Sequence, residues 1–102
     1  MKIWKTKMLA VSKAGHDKGR VYVVLQDDGQ YCWLCDGKRK LLENPKKKKF
    51  MHLQVIRKVP AELILPMEEI ASDADIRRIL KEYRRILENR QNVIPTDSEE
   101  LL

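Results

Sequence analysis

The sequence predicts a mainly β fold, a small curled sheet or barrel, followed by one C-terminal α-helix. Three observations carry that expectation. The N-terminal part alternates short runs rich in Val, Tyr, Leu and Trp with glycine-bearing turns, which is the rhythm of strands and tight connections. The apolar period then changes from two to 3.6, because Ile76, Ile79, Leu80, Tyr83, Ile86 and Leu87 fall on one face of a helix. Finally, 102 residues supply one core, since a chain of this size hides only about 60 to 70 % of its unfolded surface.

The elements follow in order. Residues 1–7 form an N-terminal extension. Strands are expected over residues 8–12, 20–26 and 30–36, separated by the turns AGHDKG, DDG and DGK. A further alternation covers residues 52–59, and residues 62–65 offer one more short strand before Pro66. Strands this closely spaced favour closure, which removes exposed edges, so the barrel is expected over residues 8–65. The C-terminal helical extension occupies residues 66–92. Its helix, near 73–91, starts at Ser72 as N-cap, with Asp75 placed to accept from the cap's own N–H in a capping box. Asp73 and Asp75 also suit the positive end of the helix. Arg77, Lys81 and Arg84 fall on the other side and read as a solvated face. From residue 93 to 102 the sequence VIPTDSEELL loses periodicity and reads as a disordered acidic tail.

Charge is unevenly spread. The chain is 35 % charged with a net charge of +6. Residues 1–58 hold 15 Lys and Arg against 5 Asp and Glu, a balance of +10, whereas residues 59–102 hold 6 against 10, a balance of −4. Blocks of like charge mark interaction surfaces, and a basic block selects anionic partners. No window approaches the roughly 18 apolar residues of a membrane span, and MKIWKTKMLAVSKAG lacks the apolar core of a secretory signal. A cytoplasmic protein with no membrane partner is expected.

The run AVSKAGHDKGRVYVVLQ, residues 10–26, resembles the KOW motif: a hydrophobic strand, a basic loop, a glycine and a second hydrophobic strand. Gly19 stands where the motif keeps its glycine. DGKRKLLENPKKKKFMHLQ, residues 36–54, resembles a segment of large-subunit ribosomal KOW proteins of the archaeal and eukaryotic type and of their short bacterial relatives. Together these matches span residues 8–56, and SDADIRRILKEYRR is similar to the helix that ends many bacterial relatives. The resemblance implies an SH3-like β-barrel of the KOW type that binds structured RNA, ribosomal RNA in particular. It also admits ribosomal or transcription proteins as partners, because KOW modules occur in transcription elongation factors. His16, Cys32 and Cys35 depart from the commonest pattern.

The basic loops have a physical reading of their own. In SKAGHDKGR, Gly15 and Gly19 permit positive φ and leave no Cβ against a ribose or phosphate, while Lys13, Lys18 and Arg20 supply charge, with His16 beside them. The Asp-Gly pair of DGKRK favours a tight hairpin turn presenting Lys38, Arg39 and Lys40. Pro45 restricts Asn44 to extended geometry, so Lys46, Lys47, Lys48 and Lys49 are expected to leave the barrel as an extended arm. Lysines neutralise phosphates and release counterions without reading bases; a tetralysine also serves plain solubility. Tyr22, Tyr31, Trp33 and Phe50 offer stacking faces near these loops, with most of them expected in the core. His52 is either a structural hydrogen-bonding residue or an RNA contact.

Cys32 and Cys35 form a CxxC, which can be half of a zinc site or a redox pair. Strand residues i and i+3 point to opposite faces, so buried reduced thiols are expected, with no metal and no other cofactor. No glycine-rich phosphate loop precedes a helix, and no nucleophile and base stand in a recognisable setting. An enzyme is not expected.

Overall fold

The computed structural model describes the backbone over residues 4–100 and side chains over residues 4–90. Five strands come first: β1 (Met8–Ser12), β2 (Val21–Asp27), β3 (Tyr31–Cys35), β4 (Lys46–Lys49) and β5 (Leu53–Ile56). A 3₁₀ turn at Phe50–His52 joins β4 to β5, and two helices follow, α1 (Ala61–Glu68) and α2 (Asp73–Glu100). The antiparallel sheet has the order β4-β3-β2-β1-β5, so β5 returns to the far side of β1, pairing Ser12 with Leu53 and Leu9 with Ile56. A register shift between Val24 and Gln26 opposite β3 adds the local bend that lets a sheet curl. The result is a five-stranded half-barrel with a C-terminal helix.

Both faces of the sheet are buried, as its alternation requires. Ala10, Tyr22, Val24, Cys32, Leu34 and Leu53 cluster on one side. Their neighbours Leu9, Val23, Leu25 and Cys35 point the other way, into a cluster completed by the helices. There α2 inserts Ile76, Ile79, Leu80, Tyr83 and Ile86, the face expected from the 3.6 period except for Leu87, which lies at its edge and is 36 % exposed. At about 1.5–3 kcal/mol for each large apolar side chain buried, packing dominates the docking of α2. The capping box is present: Asp75 N–H donates to Ser72 Oγ (3.2 Å), and Ser72 N–H donates to Asp75 Oδ2 (3.1 Å). The sheet–helix unit also takes in part of the N-terminal extension, where Trp4 N–H donates to the Ile70 carbonyl at 2.8 Å and Thr6 Oγ1 donates to the Val24 carbonyl.

One element differs in type from expectation. Residues 62–65 lie in helix α1, not in a strand. A strand would place Leu63 and Leu65 on the same face, but Leu63 and Met67, four apart, are both 1 % exposed while Leu65 is 61 % exposed. The sheet therefore ends at Ile56. The C-terminal helix also runs further than expected: α2 continues past residue 91 to Glu100, so residues 93–100 of the expected irregular acidic tail have helical backbone. Backbone hydrogen bonding propagates from a docked helix without needing apolar periodicity. Residues 101–102 of that tail lie outside the described residues.

Candidate nucleic-acid interface

The β1–β2 loop is built around a carboxylate. Asp17 is buried and accepts from Ser12 Oγ (2.8 Å) and Tyr22 Oη (2.8 Å) within its own hairpin. It also accepts from Lys48 Nζ at 2.8 Å and Lys46 Nζ at 3.0 Å, both arriving from β4. Burial alone would raise the Asp17 pKa, but the bonds from Lys48, Lys46, Tyr22 and Ser12 outweigh it and hold the carboxyl far below the usual range. Burial and the adjacent carboxylate in turn push the Tyr22 phenol up. Lys48 further donates to the Ala14 carbonyl at 2.8 Å, so the loop is fastened to β4 at two points. Gly15 and Gly19, with φ of 89° and 90°, make the reversals that a side chain would strain. No Cβ at Gly19 would meet another atom within 4 Å, which leaves that stretch of backbone open.

The tetralysine is therefore not a free arm. Its extended geometry is as expected, but Lys46–Lys49 is the edge strand β4, paired with β3 from Leu34↔Lys46 to Tyr31↔Lys49. Strand alternation divides its charges. Lys46 and Lys48 turn onto Asp17, while Lys47 lies over the Tyr31 ring at 4.4 Å and near the Trp33 ring at 5.5 Å. Lys47 and Lys49 stay exposed, and charged side chains on an edge strand also discourage pairing with a second sheet. Tyr31 and Trp33 are half-buried rather than core, whereas Tyr22 is buried.

The DGKRK turn is wider than a two-residue hairpin, since the β3–β4 connection runs through residues 36–45. Asp36 Oδ1 organises it by accepting from the N–H groups of Lys38 (3.0 Å), Arg39 (2.9 Å) and Lys40 (2.9 Å). Gly37 has φ of 77° and packs so tightly on α2 that a Cβ there would lie 2.6 Å from the Asp73 carbonyl oxygen. Arg77 donates to the Gly37 carbonyl at 2.6 Å, and Asp73 Oδ1 accepts from Leu42 N–H at 2.9 Å. The start of α2 thus holds the turn that carries Lys38, Arg39 and Lys40.

These contacts bring most of the expected residues together. Lys13, Gly15, His16, Lys18, Gly19 and Arg20 lie in or beside the β1–β2 loop, which Lys46 and Lys48 touch. Lys38 meets Gly19 and Arg20 around one cleft of about 260 Å³. Arg39 is exposed and Lys40 half-buried on the same turn. His52 is exposed in the 3₁₀ turn, and its carbonyl accepts from Lys13 N–H at 2.8 Å. Lys47 and Lys49 face away from Asp17. Asp17 itself was missing from the expected set; its signal is that it is the single carboxylate in the first 26 residues, surrounded by cations that need a counter-charge.

Cys32 and Cys35 sit on opposite faces of the sheet, one in each core cluster, as strand alternation requires. Burial, reinforced by neighbouring aspartates, pushes Cys32 up to about 11 and Cys35 up to about 12. Among the described residues, no group of three or more His, Cys, Asp or Glu side chains is placed to hold a metal. The chain matches no protein-family model and no curated protein.

Proposed function

We propose that this chain is an RNA-binding protein whose half-barrel is an SH3-like barrel of the KOW type, docking on structured ribosomal RNA in association with the ribosome. The observation that carries the reading is the convergence of cations distant in sequence. Lys46 and Lys48 reach Asp17 and Ala14 across 29 to 34 residues, and Lys38 shares a cleft with Arg20. Asp17 neutralises only part of this charge, so the loop face keeps an excess of cations over a glycine-lined backbone. Phosphate contacts position such a protein and supply affinity that depends steeply on salt, with little information about base sequence. The role is one of binding, not catalysis, and its setting is the cytoplasm; no described helix is long and apolar enough to cross a membrane.

A second reading, a protein-interaction module of the transcription or translation machinery, is favoured by one observation. Ile64 and Leu65 on α1 are 49 % and 61 % exposed, and Leu65 borders a groove of about 390 Å³ between α1 and α2. That groove uses Asp75, Arg78, Ile79 and Glu82 of α2, a different flank from the one facing the basic loops. Crosslinking in cells followed by sequencing of attached RNA tests the choice. Recovery of ribosomal RNA fragments is the expected result; protein crosslinks through α1 without RNA would move the second reading ahead.

A further inference from the structure

The flank of α2 bearing Arg77 and Arg84 is not simply solvated. These two arginines, about two helical turns apart, line the cleft of about 260 Å³ whose other wall carries Gly19, Arg20, Asp36 and Lys38. Four cations meet one carboxylate there, and one oxygen of that carboxylate already accepts three backbone N–H groups. Arg77 spends one bond on the Gly37 carbonyl. Among the described residues, Lys38 and Arg84 have no carboxylate partner and Arg20 interacts with Asp36 only through space, whereas Arg78 and Arg85 on α2 are paired with Asp75 and Glu82. One helix therefore separates arginines paired one to one from a concentrated group in which four cations share a single carboxylate. Cations gathered in a cleft repel one another and focus a field that favours an anion between them.

We infer that this cleft is a phosphate-holding subsite of the RNA interface, in which Arg77 and Arg84 close on a backbone phosphate that Arg20 and Lys38 hold from the barrel side. The inference rests on the RNA-binding reading and adds α2 to the surface that the loops provide. Guanidinium forks match phosphate oxygens in a bidentate way. The open space at Gly19 admits a sugar-phosphate chain to the floor of the cleft. Net charge alone argues the opposite, because residues 59–102 total −4 and would make α2 a poor neighbour for RNA. The local arrangement decides, since the acids of α2 that approach arginines do so on its other flank.

The test compares Arg84→Glu with Arg85→Glu in the full chain, binding a structured RNA at fixed salt in a filter assay. The two substitutions change charge equally, at adjacent positions of one helix. Arg84 makes no hydrogen bond or ion pair among the described residues, and equal melting temperatures of the variant and the unaltered protein check that folding is intact. Arg84→Glu is expected to weaken binding roughly tenfold or more and to flatten the log–log salt slope by about 0.7 to 0.9 for the lost phosphate. Arg85→Glu is expected to change affinity less than about threefold. Arg77→Lys, which keeps the charge and loses the fork, should give an intermediate loss. If the affinities of Arg84→Glu and Arg85→Glu lie within about threefold of each other, the inference is overturned while the RNA-binding reading stands. Absence of RNA binding by the unaltered protein overturns the reading and the inference with it.

Discussion

Replacing Asp17 with asparagine removes the charge on which the β1–β2 loop and β4 are joined. The side chain is 10 % exposed and accepts two lysine bonds at 2.8 and 3.0 Å. An asparagine of the same shape turns an NH₂ donor towards one of the two ammonium groups and leaves both without a counter-charge. Removing one partner of a buried ion pair costs about 3–5 kcal/mol. Lys46 is 29 % exposed and keeps some water, so the lower end applies, about 3 kcal/mol. At about 4–8 °C per kcal/mol for a domain near 100 residues, the melting temperature should fall roughly 12 to 24 °C at neutral pH. The pH dependence follows from the depressed Asp17 pKa. A carboxyl held below its unfolded value contributes stability that is fully present above that value, near 4, and is lost as pH falls through the folded one. The gap between the two proteins should thus be full at pH 7 and narrow steadily below about pH 4. Thermal melts followed by circular dichroism from pH 2 to 8 measure both. A melting temperature within 3 °C of the unaltered protein at pH 7, or a gap independent of pH, would refute the reasoning.

Lys47→Gln with Lys49→Gln should weaken RNA binding and flatten the salt slope by about 1 to 2 without lowering the melting temperature, whereas Lys46→Gln with Lys48→Gln should lower it by orphaning Asp17; calorimetry and filter binding separate the pairs. Gly37→Ala should destabilise by about 2–4 kcal/mol in urea titration, because strain at positive φ adds to a clash with α2, while Gly19→Ala, which meets open space, should cost only about 1 kcal/mol. Cys32 and Cys35, both 0 % exposed with pKa values raised to about 11 and about 12, should react with an aromatic disulfide reagent at pH 8 no faster than the protein unfolds; rapid native-state labelling would contradict their burial.

The parts legible in the sequence were those fixed by local periodicity. Ile76 to Ile86 announced α2, Ser72 and Asp75 announced its cap, and the i, i+3 spacing of Cys32 and Cys35 placed them on opposite faces. What escaped depended on partners distant in the chain. The α1 segment is eight residues long, too short for a helical period to declare itself, and Pro66 inside it read as a stop. Leu63 and Met67 reveal their shared face only once the sheet they cover is known. The tetralysine read as an arm because nothing local marks it as a partner for β3, and its division into paired and exposed lysines needs Asp17 to be placed first. Arg77 and Arg84 looked solvated because helix geometry alone cannot show that the DGKRK turn lies against them.

The most direct measurement of the central claim is the dissociation constant of a structured RNA across a salt series. Four to six phosphate contacts predict a slope of log K against log salt of roughly −3 to −5, with unrelated structured RNAs differing far less than the salt effect. Binding that is undetectable at low salt, or a slope shallower than about −1, would show that the cations around Asp17 and Arg20 only solvate the loops, and would contradict the account.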